Sequence, residues 1–143
     1  IPIIMLFLAT ACSAEEQPKT DTTTPATTQT QQTQPPFQSI TPSQAMQLIG
    51  AKDDLLILDT RTTREIVQFG AIPNSEQADI RSIVQQGLPN PKTQPILVVC
   101  AVGGRSYAVG QFPVKQGHTE IYNLSGGLDS WQRAGFPVSF PKK

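Results

Sequence analysis

The residues with the clearest potential for chemistry are a cysteine, two glycines, an arginine and a serine that stand close together. Cys100 comes directly after the apolar run Ile96–Val99 and is followed by Ala101, Val102, Gly103, Gly104, Arg105 and Ser106. Such a run indicates a buried parallel strand, and the apolar spacing after Ser106 indicates a helix. N–H groups of the loop and of the first helical turn lack partners within the helix, so they can bind an anion above the cysteine.

The same surroundings favour the thiolate of Cys100 over its thiol. The positive end of the helix dipole and the Arg105 guanidinium both stabilise a negative charge on the sulfur. Gly103 and Gly104 permit backbone angles that let several N–H groups converge. The alternative is an inert cysteine at the end of a strand, beside an ordinary glycine turn. The combination of residues favours a nucleophilic sulfur that holds an anionic group.

Composition argues against several other functions. The 143 residues include 11 Lys plus Arg and 11 Asp plus Glu, without a basic run, so nucleic-acid binding is not expected. The two cysteines, Cys12 and Cys100, are too few for a disulfide framework, so an apolar core must stabilise the fold. His118 is the single histidine, and its position beside Gly117 predicts an exposed loop. No metal site is expected.

The first twelve residues resemble the end of a bacterial lipoprotein signal peptide. Residues 1–11 are apolar but too short to span a bilayer, and the small residues Ala9, Thr10 and Ala11 precede Cys12. The resemblance implies cleavage before Cys12 and acylation of its sulfur. Cleavage after Ala11 without lipidation is the competing interpretation, since Ala9 stands where lipoproteins prefer Leu. No Met and no basic residue precede the apolar run, so we expect the sequence to begin within the signal.

Residues 13–36 predict a disordered tether between this anchor and a folded domain at 37–143. The segment contains no Leu, Ile, Val or aromatic residue, so it cannot form a core. We therefore expect a protein of the bacterial cell envelope, on the periplasmic side and attached to a membrane through Cys12. Ser13 favours the outer membrane, because resident inner-membrane lipoproteins of enteric bacteria often carry Asp at that position.

From Phe37 onward, strand patterns alternate with helix patterns. Strands are predicted at 55–58, 75–78, 96–99 and 120–124, and helices from a capping box at Thr41–Gln44 to Gly50, at 64–69, 80–86, after Ser106 and at 128–134. This alternation predicts a parallel sheet covered by helices on both faces, with ligands at the carboxyl ends of the strands. Asp59 and Cys100 stand at two such ends.

Segments in order along residues 37–138 resemble a single-domain rhodanese. They are Asp59–Arg61 with Glu65, Gly70–Pro73, Cys100–Ser106, Tyr122–Gly127 with Trp131, and Ala134–Val138. The resemblance implies a three-layer α/β fold whose parallel sheet has about five strands. The departures include Ala71, where the family usually has His, and Pro113 in the helix after the loop. Proline inside a helix costs ~3 kcal/mol unless the helix bends or ends.

The resemblance also implies the activity of a sulfurtransferase. Cys100 would take a sulfur from a small anionic donor such as thiosulfate, and the N–H groups of Ala101 to Ser106 would hold the resulting persulfide. A thiol or cyanide would then accept the sulfur. Arg105 would bind the oxyanion of the donor, or else form a structural ion pair at the base of the loop. Asp59 and Arg61 would brace the loop; no cofactor is implied, and we expect a monomer.

Two other functions stay open. Dual-specificity phosphatases on the related scaffold have five residues between cysteine and arginine, whereas four separate Cys100 from Arg105. Val102 is expected to narrow this shorter loop further. A non-catalytic module that carries sulfur or binds a partner is the second alternative, although inactive family members commonly lack the cysteine that this chain keeps. The loop length and the cysteine favour the sulfurtransferase.

Overall fold

One parallel sheet and five helices make up the part of the chain that the computed structural model describes, residues 34–142. The strands are β1 (Phe37–Ile40), β2 (Leu56–Asp59), β3 (Glu76–Gln77), β4 (Ile96–Val99) and β5 (Ile121–Leu124). The helices are α1 (Pro42–Ala51), α2 (Thr63–Phe69), α3 (Ile80–Gln86), α4 (Gly104–Lys115) and α5 (Gly127–Arg133). This arrangement confirms the predicted α/β fold with five strands.

The predictions for the N-terminal segment fall mostly outside the described residues. The signal-like run, Cys12 and residues 13–33 of the tether lie before residue 34, so the lipid anchor and the envelope location stay predictions. No helix within residues 34–142 is both long enough and apolar enough to cross a membrane.

The order of strands places the cysteine at a change in the direction of winding. The sheet runs β1-β5-β4-β2-β3, and every neighbouring pair is parallel. From β2 the chain continues to β3 at one edge of the sheet. From β4 it continues to β5, which lies toward the other edge. In open parallel sheets, ligands bind at the carboxyl ends of the strands where the direction changes. Asp59 ends β2 beside Val99 at the end of β4, and Cys100 follows at once.

Alternate residues of the strands build two apolar layers. The layer on the side of α1 and α5 includes Leu97, Val99, Tyr122, Leu124 and Trp131. The layer on the side of α3 and α4 includes Ile83, Ile96, Val98, Val109 and Ile121. Because residues two apart in a strand share a face, Cys100 continues the row of Ile96 and Val98 toward α4.

The two edge strands differ most from the predictions. β1 was not predicted, because two of its four residues are polar and only its pairing with β5 makes it a strand. The predicted strand at 75–78 is reduced to β3, which has two exposed residues. The sequence pattern is weak at both edges because each edge strand is covered less completely than the strands between them.

Helix α1 begins as predicted but ends later. The Thr41 hydroxyl accepts a hydrogen bond from the Gln44 N–H, and the Gln44 side chain accepts one from the Thr41 N–H, which completes the capping box. The prediction that α1 stops at Gly50 was wrong, since the helix continues to Ala51.

Pro113 lies within α4, only two residues before the helix ends at Lys115. Most of the helix is therefore unaffected by the N–H that proline lacks.

The prediction that His118 lies on an exposed loop was also wrong. Its side chain is 1% exposed, and its Nε2 lies 3.1 Å from the Nζ of Lys92. The backbone N–H of His118 donates a hydrogen bond to the carbonyl oxygen of Pro113. The chain therefore turns back at the end of α4, and the imidazole is buried. Burial lowers the pKa of His118, and the positive charge of Lys92 lowers it further.

Candidate active site

Cys100 lies in the short loop between β4 and α4, at the crevice where the winding changes direction. Its Sγ accepts a hydrogen bond from the Gly103 N–H at 3.1 Å and lies 3.3 Å from the Oγ of Ser106. Gly103 has a φ of 92°, a left-handed conformation that favours glycine, and this turn leads directly into α4. The loop therefore folds tightly around the sulfur, and Cys100 has no exposed surface.

The surroundings of Cys100 lower the pKa of its thiol. Burial acts in the opposite direction and raises that pKa. The Ser106 hydroxyl and the backbone N–H groups of Ser106, Val102 and Gly103 outweigh burial, because they donate hydrogen bonds that stabilise the thiolate. The sulfur also faces the N-terminus of a 12-residue helix, whose dipole favours a negative charge. Cys100 is consequently better suited to act as a nucleophile than an ordinary buried cysteine.

The start of α5 supports the loop from behind. The Leu128 N–H donates to the carbonyl oxygen of Cys100 at 2.8 Å, and the Asp129 N–H donates to that of Ala101 at 3.1 Å. Gly127, with a φ of 58°, permits this approach, because a Cβ there would collide with the Cys100 carbonyl oxygen. Gly127 of the C-terminal motif therefore lets α5 pack closely against the cysteine loop.

Arg105 leaves the loop and forms an ion pair with Glu65 at the start of α2. The two side chains approach to 2.6 Å and are partly exposed. The hydrogen bond from Arg105, with others from Thr62, lowers the pKa of Glu65 to about 2, and Glu65 in turn raises the pKa of Arg105. Glu65 also caps α2 through the Thr62 N–H. Two roles were open for Arg105, binding of the donor oxyanion and a structural ion pair. The structure contains the ion pair.

Asp59 and Arg61 form a buried ion pair at the end of β2. The Nη2 of Arg61 lies 2.6 Å from Asp59 Oδ2 and also donates to the carbonyl oxygen of Gly70 at 2.7 Å. The two side chains are only 1% and 2% exposed. Between them, the Thr60 N–H and hydroxyl both donate to the carbonyl oxygen of Val99, the last residue of β4. These contacts place both charged residues beside Val99 at the base of the loop, and their role as loop supports stays a prediction.

A cavity of about 200 Å³ opens beside the loop. It is lined by Arg61, Glu65, Phe69, Ala101, Val102, Leu128, Asp129 and Gln132. The prediction that Val102 narrows the anion-binding ring was wrong, because its side chain points outward into this cavity and is 69% exposed. The N–H groups of the loop, and not side-chain bulk, therefore define the space around the sulfur.

Neither a histidine nor a cluster of metal ligands accompanies Cys100 within residues 34–142. His118 follows the far end of α4, whose 12 residues span about 18 Å from the loop. No group of three or more His, Cys, Asp or Glu side chains in the described part of the chain is arranged to hold a metal ion. The groups that contact the Cys100 sulfur are the Gly103 N–H and the Ser106 hydroxyl.

Asn123 of β5 contacts Ser106 at the start of α4 and was not predicted as a site residue. The Oγ of Ser106 lies 2.6 Å from Asn123 Oδ1, and Asn123 Nδ2 donates to Ser39 Oγ at 3.0 Å. Asn123 is buried between apolar neighbours in β5. A carboxamide in an otherwise apolar buried strand is the signal that could have found it, because a buried polar side chain needs partners.

The chain that carries this site is similar to known proteins of one family. Residues 41–134 match the family described as the rhodanese-like domain. The chain is 33% identical over 96 residues to a sulfurtransferase of Allochromatium vinosum, covering 67% of this chain and 89% of that protein. It is 32% identical over 98 residues to the thiosulfate sulfurtransferase GlpE of Pseudoalteromonas translucida, covering 68% and 91%. A solved rhodanese-related structure from Thermoplasma volcanium is similar with a TM-score of 0.63 and 28% identity, covering 73% and 99%.

Proposed function

The chain belongs to the rhodanese-like domain family, and we propose that it transfers a sulfane sulfur from thiosulfate or a related donor to a thiol or cyanide. The observation that carries this proposal is the Cys100 sulfur, which accepts the Gly103 N–H at 3.1 Å before the first turn of α4. Two relatives that each match about two thirds of the chain are named sulfurtransferases, one of them for thiosulfate.

In the first step, the Cys100 thiolate attacks the outer sulfur of thiosulfate. A bond forms between Sγ and that sulfur while the sulfur–sulfur bond of thiosulfate breaks, and the electron pair of the broken bond leaves with sulfite. In the second step, the acceptor attacks the outer sulfur of the Cys100 persulfide, and the Cys100 thiolate leaves. Neither leaving group needs a proton, so the sulfur requires no histidine partner.

The N–H groups of the loop stabilise the negative charge of both the Cys100 thiolate and the Cys100 persulfide. When the persulfide forms, the charge moves outward from Sγ by one sulfur–sulfur bond of about 2 Å. We propose that N–H groups among those of Ala101 to Ser106 also donate to the outer sulfur at this position. Because Cys100 has no exposed surface, the donor reaches Sγ only when atoms above the loop are displaced. The Val102 side chain is exposed, and the Arg105 side chain is partly exposed in its pair with Glu65, so both can move without disturbing the core.

Treatment with thiosulfate should add one sulfur atom to Cys100 and release an equal amount of sulfite. Intact mass and peptide mapping measure the added sulfur, and cyanide should remove it as thiocyanate. An aryl phosphate serves as the parallel substrate, and we expect negligible hydrolysis from a loop with four intervening residues. Hydrolysis of the phosphate through Cys100 without persulfide formation would replace this proposal by a phosphatase. A persulfide that no acceptor can discharge would indicate a sulfur carrier instead.

Arg105→Ala should impair the use of thiosulfate more than the use of an uncharged persulfide donor. We propose that Arg105 also contacts the donor oxyanion, since its guanidinium is partly exposed next to the loop. A hydrogen bond between charged groups contributes about 1.5–3 kcal/mol, so the KM for thiosulfate should rise on the order of 10-fold or more. Steady-state kinetics with the two donors measure the difference.

Glu65→Gln is the matched variant for this comparison. It removes the negative partner of Arg105 while keeping an oxygen that can cap α2. If Arg105 binds the donor, freeing it from Glu65 should leave the KM for thiosulfate unchanged or lower. Equal losses with both donors in both variants would assign the ion pair a purely structural role.

A further inference from the structure

A row of polar side chains connects the buried Cys100 with the protein surface. The Oγ of Ser106 lies 3.3 Å from Cys100 Sγ and 2.6 Å from the side chain of Asn123, whose other end lies 3.0 Å from Ser39 Oγ. Ser106 and Asn123 are 0% and 4% exposed, whereas Ser39 lies at the surface. Ser39 and Asn123 are register partners in β1 and β5, which brings their side chains to the same face of the sheet.

The Ser106 hydroxyl has one hydrogen and several acceptors around it. The Cys100 thiolate, the Gly103 carbonyl oxygen at 3.2 Å and the Asn123 oxygen at 2.6 Å all compete for that hydrogen. While the amide oxygen faces Ser106, the hydrogen is drawn away from the sulfur. Half a turn of the amide would place its N–H against Ser106 Oγ and let its oxygen accept from Ser39. The Ser106 hydrogen would then be free for the sulfur.

We propose that Asn123 is a positioning residue that directs the Ser106 hydroxyl to Cys100 whenever that sulfur is negatively charged. In the neutral state the thiol donates to Ser106, and the hydrogen bonds of the row point toward Ser39. When Cys100 is a thiolate, the amide and both hydroxyls reverse, and each donor points toward the sulfur. Hydrogen bonds in such a chain polarise one another, so the row stabilises the anion more than Ser106 does alone.

The proposal rests on the proposed function in that the same Cys100 is the nucleophile, but it is tested without sulfur transfer. The thiolate of Cys100 is titrated by its ultraviolet absorbance against pH, with the spectrum of Cys100→Ser subtracted. A shifted midpoint in a chain that forms no persulfide would overturn the proposed function and leave this inference standing. If the persulfide forms normally but the midpoint does not shift as described below, the proposed function stands and this inference is overturned.

Asn123→Leu is the sharpest test, because the two orientations of the amide predict opposite shifts. Leucine is similar in size but neither donates nor accepts a hydrogen bond. If Asn123 only accepts from Ser106, its removal frees the hydroxyl and the titration midpoint falls. If Asn123 donates to Ser106, as proposed, the midpoint rises by about one pH unit, which is about tenfold less thiolate below the midpoint. An unchanged or lower midpoint in folded Asn123→Leu overturns the proposal.

A surface substitution provides the second test if Asn123→Leu does not fold. Ser39→Ala removes the donor to the amide oxygen and should raise the midpoint by a smaller amount, whereas Ser39→Thr keeps the hydroxyl and should restore it. Ser43→Ala, at an exposed position of α1, is the matched control and should cause no shift. Equal midpoints for Ser39→Ala and Ser39→Thr would contradict the proposed direction of the row.

The charged groups around the loop are the same in all of these variants. They are Arg105 of α4, Glu65 of α2, Asp59 and Arg61 at the end of β2, and Asp129 of α5. Their effect on the Cys100 thiolate therefore cancels when the variants are compared with the wild type. A change in the midpoint reports the hydrogen bonds of the row.

Discussion

Replacing Cys100 by serine abolishes persulfide formation with thiosulfate and leaves the fold intact, and this is the largest effect on activity that we expect. Sulfur transfer to cyanide should fall by at least about 10³-fold, because a serine hydroxyl is not ionised at neutral pH and cannot store the sulfur as a persulfide. Serine fits the buried site, and its oxygen can still accept the Gly103 N–H that now reaches Sγ at 3.1 Å. The rate of sulfite release measures the loss of activity, and circular dichroism shows whether the fold is intact.

Cys12→Ser is the control that the chain itself provides, since Cys12 and Cys100 are its two cysteines. We expect this variant to form the persulfide as the wild type does, because Cys12 lies before the folded domain that contains the loop. Sulfite release by Cys100→Ser within about tenfold of the wild-type rate would contradict the role of Cys100. Loss of persulfide formation in folded Cys12→Ser would contradict the assignment of the reaction to Cys100 alone.

The central strands could be predicted from sequence because both of their faces are covered. β4 and β5 are buried at every position, so β4 reads as an unbroken apolar run. β1 at one edge has the pattern Phe-Gln-Ser-Ile, and its strand character depends on pairing with β5, which lies far along the chain. Local patterns therefore identify the interior of this sheet better than its edges.

The same distinction applies to the candidate site. The cysteine loop could be predicted because residues 100–106 provide the sulfur, the donors and the turn within one short segment. The contacts that join distant segments could not: Arg105 and Glu65 are 40 residues apart, and Asn123 and Ser39 are 84 residues apart. Only the fold brings these side chains together, so a pattern of neighbouring residues does not identify the partner of each one.

Asp59→Ala should produce the largest loss of stability among the substitutions considered. Arg61 would keep its charge at a side-chain exposure of 1%, with the Gly70 carbonyl oxygen as its remaining partner. Breaking a buried pair by removing one partner costs about 3–5 kcal/mol, because the other charge is left uncompensated. A domain of this size has a total stability of about 5–15 kcal/mol, so urea unfolding should show a clearly reduced midpoint.

We expect the loss of stability to come from the unpaired buried charge of Arg61 and not from the change of side chain at position 59. The double variant Asp59→Ala with Arg61→Ala leaves no buried charge, so its loss should be smaller than the sum of the two single losses. Arg133→Ala breaks the exposed pair with Asp129 and should cost no more than about 0.5 kcal/mol. The folded double variant should still form the Cys100 persulfide, because the pair supports β2 and does not touch the sulfur. A single variant within about 1 kcal/mol of the wild type would contradict the assignment of the pair as a buried support.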